Sequence, residues 1–217
     1  MYSWVQKRGK TPVRVRTDEK RHEILKAARA VIEEVGSHRA SMTAIAARLG
    51  GSKATLYGYF ATKERLLAAA MVDAVEARGL DLLTILNSQD TDAGRVLTAF
   101  GAAYLPFVTS AEITSLSRTA IAEAATSEFG RELYALGPQR VWAAVSAYLA
   151  GQMAEGKLRR AAPDLAAFQF KGLIEAGILE PRLFGVEPRF DPKEVVADAV
   201  AVFMASYGVP TGGADEP

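Results

Sequence analysis

Between Ser41 and Lys63 the chain reads SMTAIAARLGGSKATLYGYFATK, a run in which hydroxyl, cationic and phenolic side chains recur at short intervals. Ser41, Thr43, Tyr57 and Lys63 are groups that hydrogen-bond or neutralise phosphate oxygens, a contact that gives affinity and register but reads no sequence. Lys53, Ala54, Thr55 and Tyr59 suit base edges: lysine donates to guanine acceptors, and alanine and the threonine methyl pack on a thymine methyl. Core packing is the alternative use for Tyr57 and Tyr59.

These side chains need elements to hold them, and the same run supplies the signals. Ser41 is a hydroxyl N-cap, Ile45 and Leu49 lie one helical turn apart, and Gly50-Gly51 ends the helix by giving access to positive φ. Ser52 caps a second helix, Lys53 to Tyr59, which is too short to be stable alone. It must pack through Leu56 and Phe60, which leaves Lys53, Ala54, Thr55, Tyr57 and Tyr59 for other faces. Thr62 caps the next helix, with Lys63 and Glu64 in its first turn. Two helices joined by a glycine turn, the second with a small, polar, cationic N-terminus, predict a helix-turn-helix for the DNA major groove.

The run TAIAARLG-GSKATLYGYFATKERLL resembles the DNA-binding domain of the TetR (tetracycline-repressor-like) family of bacterial transcriptional regulators, through Ile45-Ala46, Gly50, Ser52-Lys53, Thr55-Leu56-Tyr57, Phe60 and Lys63-Glu64. The resemblance supports Tyr57 and Lys63 best as phosphate contacts and places Ser52 at the interface. Two positions depart from the family's pattern: Gly51 stands where an apolar residue is usual, and Gly58 where a longer polar or cationic one is. Gly51 is expected to loosen the turn, and Gly58 to cost about 1 kcal/mol of helix propensity. A second segment resembles the AefR-like C-terminal domain of part of that family. It comprises Ala122-Glu123-Ala124, Phe129 to Tyr134, Gly137-Pro138 and Ala166 to Phe170, but Thr126-Ser127-Glu128 replaces an expected Arg-Phe-Pro cluster, so ligand class is not carried across.

The resemblance implies a homodimeric repressor on a near-palindromic double-stranded DNA operator, controlled by a small, partly hydrophobic effector. It also implies an effector pocket among helices bearing Phe100, Tyr104, Phe107, Tyr134, Trp142, Phe168 and Phe170, with Arg118 or Glu123 as polar groups; for any one of these, core packing is the alternative. The dimer interface is expected on the helices Pro138–Glu155 and Asp191–Tyr207, whose stripes suit either that role or intrachain core. No cofactor and no membrane partner are expected.

Bulk properties agree with two partners of different charge. The 217 residues carry a net +1, but 13 basic and 5 acidic side chains fall up to Lys63, a balance of +8, leaving 13 and 20 for the rest, a balance of −7. That asymmetry suits a nucleic-acid module joined to a different domain. There is no cysteine, hence no disulfide or thiolate metal site; this fits a reducing cytoplasm. No apolar run approaches membrane-helix length and no signal-peptide core opens the chain. With no cysteine, paired-histidine metal motif, phosphate-binding glycine loop or nucleophile elbow, no enzyme chemistry is indicated. His22 and His38 read as surface residues.

The expected architecture is all-α: a basic arm over 1–16, a helix-turn-helix domain over 17–63, a larger helical effector and dimerisation domain over 64–210, and a loose tail over 211–217. The arm, with Lys7, Arg8, Lys10, Arg14 and Arg16, is suited to phosphates or a minor groove, with a passive solubilising tail as the equal alternative. Helices are predicted over Asp18–Val35, Thr62 to about Leu86, Ala111 to about Thr126, on to Leu136, Pro138–Glu155, from Pro163, and from Asp191 to Gly208. A helix with Val96, Phe100, Tyr104 and Phe107 in one stripe follows the break at 87–92. Leu165, Phe168 and Val202 are placed on inward stripes. A helical module that has lost specific DNA binding is the alternative function, resting on Gly51 and Gly58.

Overall fold

In the computed structural model, which describes residues 17–209, every regular element is an α-helix, and one isolated bridge joins Leu158 to Gly208. The basic arm and the tail expected at the termini lie outside the described residues. The chain divides into two compact units, Met1–Lys63 and Glu64–Pro217.

The first unit holds α1 (Asp18–Val35), α2 (Met42–Leu49) and α3 (Lys53–Tyr59). Thr17 Oγ1 accepts from Lys20 N–H at 3.2 Å, and Asp18 and Glu19 in the first turn complement the positive end of α1. Ile24, Leu25, Ala28 and Val31 form its buried stripe, covered by Met42, Ile45 and Ala46 of α2 and by Leu56 and Phe60. Burial of this shared core supplies what the propensities of an eight-residue and a seven-residue helix cannot. The Arg21 guanidinium lies over the Phe60 ring, 5.5 Å from its centroid, and Arg48 pairs with Glu34 to tie α2 to α1. His22 and His38 are exposed.

The second unit contains α4 (Lys63–Leu86, from the last residue of the first unit), α5 (Ala93–Val108), α6 (Ala111–Glu123), α7 (Phe129–Leu136), α8 (Pro138–Ala154), α9 (Pro163–Glu175), α10 (Leu179–Leu183) and α11 (Pro192–Tyr207). Start signals are side-chain caps from Asp92, Ser110 and Asp191, and prolines at the first helical position of α8, α9 and α11. The core joins α5, α8, α9 and α11 through rings: Phe100 and Tyr104 stack at 5.5 Å, Trp142 stands edge-on to Tyr104 at 5.2 Å, and Phe170 meets Phe203 at 5.2 Å. At Gly101 of α5 a Cβ would lie 2.8 Å from Val196 Cγ1, so the absence of a side chain is what lets α11 come this close.

Several expectations change here. The helix from Ala111 ends at Glu123, and a turn over 124–126 follows in which the Thr126 and Ser127 N–H groups reach the Glu123 carbonyl. The short α10, with a proline inside it, was not anticipated. Leu165, Phe168 and Val202 face outward: α9 buries Ala166, Ala167, Phe170 and Ile174, and α11 buries Val196, Ala199, Val200, Phe203 and Tyr207. The small alanines let α9 seat closely, which rotates Leu165 and Phe168 out. The stripe of α8 considered for a dimer interface, Trp142, Val145, Leu149 and Met153, is intrachain core.

Candidate nucleic-acid interface and internal cavity

The turn between α2 and α3 is built by Gly50, whose φ of 65° and ψ of 29° are left-handed. Gly50 N–H reaches the Ala47 carbonyl at 3.2 Å and Gly51 N–H the Ala46 carbonyl at 3.0 Å, the paired bonds of a Schellman stop. Gly51 itself has no positive φ, so the turn keeps its bonds without needing glycine there. Ser41 Oγ accepts from Ala44 N–H at 3.2 Å, and Ser52 Oγ accepts from Thr55 N–H at 3.2 Å while meeting Thr55 Oγ1 at 3.1 Å. Two of the expected contact residues, Ser52 and Thr55, are therefore held to each other, which fixes the start of α3.

Lys53, Ala54 and Tyr57 are exposed on α3, Thr43 is exposed on α2, and only Leu56 of α3 is buried. Tyr57, at 53% exposure, is not core. Tyr59 is half-buried and its hydroxyl accepts from Thr17 N–H at 3.3 Å, which ties α3 to the start of α1. Ser41 and Lys63 are half-buried at the starts of α2 and α4. Lys53 has no ion-pair partner among the described residues, so its charge is available to an anionic surface.

The second unit holds a half-open cavity of about 160 Å³, room for one aromatic ring inside and opening to solvent beside the exposed Leu80 and Arg140. Val72, Val75, Gly79, Leu80 and Leu83 of α4 form one wall; Tyr104, Phe107 and Val108 of α5 another. Ile113, Leu116 and Ser117 of α6, Leu133 and Leu136 of α7, and Pro138, Arg140, Val141 and Trp142 complete it. Salt bridges hold α4 to two of these walls, Arg65 to Glu132 at 2.8 Å and Arg78 to Glu112.

Of the nine residues expected at a pocket, Tyr104, Phe107 and Trp142 line this cavity and six do not; among those six, Tyr134 is exposed on α7 and Phe170 is buried against Phe203. Phe100 lies fully buried beneath it. Arg118 is turned about one helical step from Ser117 and donates to the carbonyls of Leu183 at 2.8 Å and Arg182 at 2.6 Å, closing the end of α10. Glu123 meets Ser127 Oγ at 3.4 Å at the end of α6. Phe168 is half-exposed and covers Trp142 from outside, centroids 6.4 Å apart. The residues missed are mainly those of α4 and Arg140; the signal was that α4 carries apolar side chains around more of its circumference than one packing stripe needs.

Behind the cavity, Tyr104 Oη donates to Glu175, which also pairs with Lys171, and Lys171 Nζ lies 5.9 Å from the Trp142 ring centroid. Burial pushes the Tyr104 phenol well above its usual range, and the charge and hydrogen bond of Glu175 push the same way. The Trp142 N–H opposes them, but it does not reach hydrogen-bond geometry and is buried without a partner. No group of three or more metal-ligating side chains occurs among the described residues, and no single helix there is long and apolar enough to cross a membrane.

Residues 24–70 match the family described as bacterial regulatory proteins, tetR family, and residues 95–209, more than half of the chain, match the AefR-like transcriptional repressor, C-terminal domain. The chain belongs to the TetR family. It is a DNA-binding transcriptional regulator with an N-terminal helix-turn-helix domain and a helical C-terminal domain, in a family whose members typically dimerise and answer to ligands. Among solved TetR structures, a regulator from Mesorhizobium loti MAFF303099 superposes with a TM-score of 0.71 at 24% identity, over 90% of this chain and 100% of its own. The flavonoid-responsive regulator FrrA gives 0.70 at 25% identity, again over 90% and 100%. A regulator from Agrobacterium tumefaciens gives 0.64 at 22% identity, over 88% and 95%. No curated protein sequence matches the chain.

Proposed function

We propose that this regulator acts as a homodimer on a near-palindromic operator, with Lys53, Ala54 and Thr55 at base edges and Ser41, Thr43, Tyr57 and Lys63 on phosphates. The observation that carries this is the exposed start of α3, where Lys53, Ala54 and Tyr57 stand free above a cap fixed by Ser52. Ser52 then acts by orienting Thr55, and Tyr59 by bracing α3 against α1. One α3 makes too few contacts for specificity; two, about 34–36 Å apart, enter successive major grooves.

The dimer face assigned is the outer side of α9 and α11, in place of α8. Leu165 and Phe168 on α9 and Val202 on α11 are large apolar side chains left exposed there, flanking a groove lined by Gln169, Gly172 and Ser206. Val202→Glu should convert a dimer to a monomer in size-exclusion chromatography with light scattering.

The cavity is the effector site, and its occupant is small and partly hydrophobic. FrrA, by its name responsive to flavonoids, shares the fold and gives this reading some support. The effector shifts a population of dimer states through α4, which demands different affinity for the two states. The work is done in the cytoplasm and without catalysis.

The test is an anisotropy titration of the full chain against DNA from its own upstream region beside scrambled DNA. Saturable binding of two protomers, falling steeply with salt, is expected; Tyr57→Phe should weaken all sequences alike, and Thr55→Ala should change which are preferred. Sequence-blind binding would overturn the operator reading.

A further inference from the structure

The apolar cavity carries polar groups of one kind. Arg140 lines it, is exposed, and has no ion-pair partner among the described residues. Trp142, 2% exposed, lines it too, but its Nε1–H is shut off from the cavity and lies on the Tyr104 side. The Ser117 hydroxyl makes no hydrogen bond within the described residues. Among the described side chains no carboxylate lines the cavity, and three acids of neighbouring helices are engaged: Glu112 with Arg78, Glu132 with Arg65, and Glu175 with Tyr104 and Lys171. A guanidinium stays charged at any working pH, so Arg140 holds a fixed positive charge at the rim of an otherwise apolar cavity, with the Ser117 hydroxyl as a second donor. One ligand type suits both groups.

We propose that the cavity binds a small organic anion, a carboxylate on an aromatic body of one or two rings. The body occupies the space between α4 and α5, with its acceptor oxygens facing Arg140 and the Ser117 hydroxyl. This rests on the cavity being the effector site, and it adds the charge and hydrogen-bonding class of the effector. A cationic ligand would find Arg140 and no counter-charge among the described side chains; a neutral hydrocarbon would leave Arg140 and Ser117 unused.

The test is isothermal titration calorimetry of the full chain with three probes that share one body: 2-naphthoate, 2-naphthalenemethanol and 2-naphthylmethylammonium. Naphthoate should bind at least about tenfold more tightly than the alcohol, the worth of one charge-assisted hydrogen bond, and the ammonium should not bind. Arg140→Gln should erase the advantage of naphthoate and leave the alcohol unchanged, and Arg140→Lys should restore part of it. Because Arg140 is exposed and has no ion-pair partner among the described residues, these variants should fold normally; Ser117→Ala should cost naphthoate severalfold. Equal binding of naphthoate and alcohol, indifference to Arg140→Gln, or no binding of naphthoate would each overturn the proposal. DNA release is read separately by anisotropy on the upstream duplex. Selective naphthoate binding that leaves DNA affinity unchanged would uphold the anion site and overturn the effector reading; alcohol and naphthoate of equal affinity releasing DNA equally would do the reverse.

Discussion

Two adjacent glycines close the turn of the helix-turn-helix, and only one of them needs to be glycine. Gly50 sits at φ 65° and ψ 29°, where a Cβ crowds the following carbonyl at a cost of roughly 1–2 kcal/mol. Gly51 has no positive φ, and a Cβ there would meet Leu49 Cδ2 at 3.6 Å, an ordinary contact. Alanine also removes freedom from the unfolded chain, which stabilises by about 0.4–1 kcal/mol wherever its backbone is tolerated. Gly50→Ala should therefore destabilise the turn by about 1 kcal/mol, and Gly51→Ala should stabilise it by about half that or more. The assay is hydrogen exchange of the amides in α2 and α3, which reads opening of this unit without requiring the whole chain to unfold in one step. A change of 1 kcal/mol is about fivefold in protection at 25 °C. Protection should fall severalfold in the first variant and rise about twofold to fivefold in the second, with DNA affinity following the same order. Changes of the same sign and size in both would refute the reasoning, because they would mean that backbone conformation does not separate the two positions.

Gly58, inside α3 with open space around its Cβ position, should gain about 1 kcal/mol as Gly58→Ala, seen as the same rise in exchange protection of α3. Tyr104→Phe removes the donor that Glu175 accepts in the core and should cost about 1–3 kcal/mol in urea denaturation. The phenols of Tyr104 and Tyr148 are both raised, chiefly by burial, the latter to about 12. Their contribution is fully present below the unfolded value near 10 and is lost as pH rises above it, so stability should decline from about pH 10 upward, less steeply in Tyr104→Phe. Asp90 is held down to about 2, first by the two hydrogen bonds from Arg95 at 2.8 and 2.9 Å and then by Asp92 N–H, so its contribution is present above about pH 4 and is lost as pH falls through 2. Asp90→Asn should flatten the acid limb of an unfolding profile over that window. Gly79 of α4 lines the cavity with open space at its Cβ position; Gly79→Ala should stiffen α4 by about 1 kcal/mol of propensity and alter the DNA response to a bound ligand more than ligand affinity itself.

The first unit was legible almost residue by residue because its punctuation is local. Ser41, Ser52, Gly36 and Gly50 each act within four residues of themselves, and the stop at Val35 and the start at Lys53 follow from them alone. The second unit was legible as helices but less so as faces. Whether Phe168 points in or out is settled by the alanines beside it, since Ala166 and Ala167 permit a close approach that a two-residue view of Leu165 and Phe168 does not reveal. Arg118 was read as a pocket group because its acceptors belong to α10, an element marked by neither a cap nor periodicity and interrupted by Pro181. Arg140 was missed for the opposite reason: one exposed arginine near a helix start has no local signature, and its meaning comes from the apolar walls around it.

In the proposed reading, those walls make α4 the element on which regulation turns. In the first turns of α4, Leu66, Leu67, Ala68, Ala69 and Ala70 are buried in succession, more than one stripe, and farther along the helix Val72, Val75, Leu80 and Leu83 form the cavity wall. Within the second unit, a helix that forms a cavity wall cannot shift without repacking what lies against it, since interiors are packed and transmit strain. The ion pairs from Arg65 and Arg78 are exposed and worth only about 0.2–1 kcal/mol each, too little to lock α4 against its neighbours. A ligand whose affinity differs tenfold to a hundredfold between two positions of α4 supplies about 1.4–2.8 kcal/mol, more than either pair holds in reserve. The weakness of those surface pairs is thus consistent with a helix that is positioned by what fills the cavity beside it.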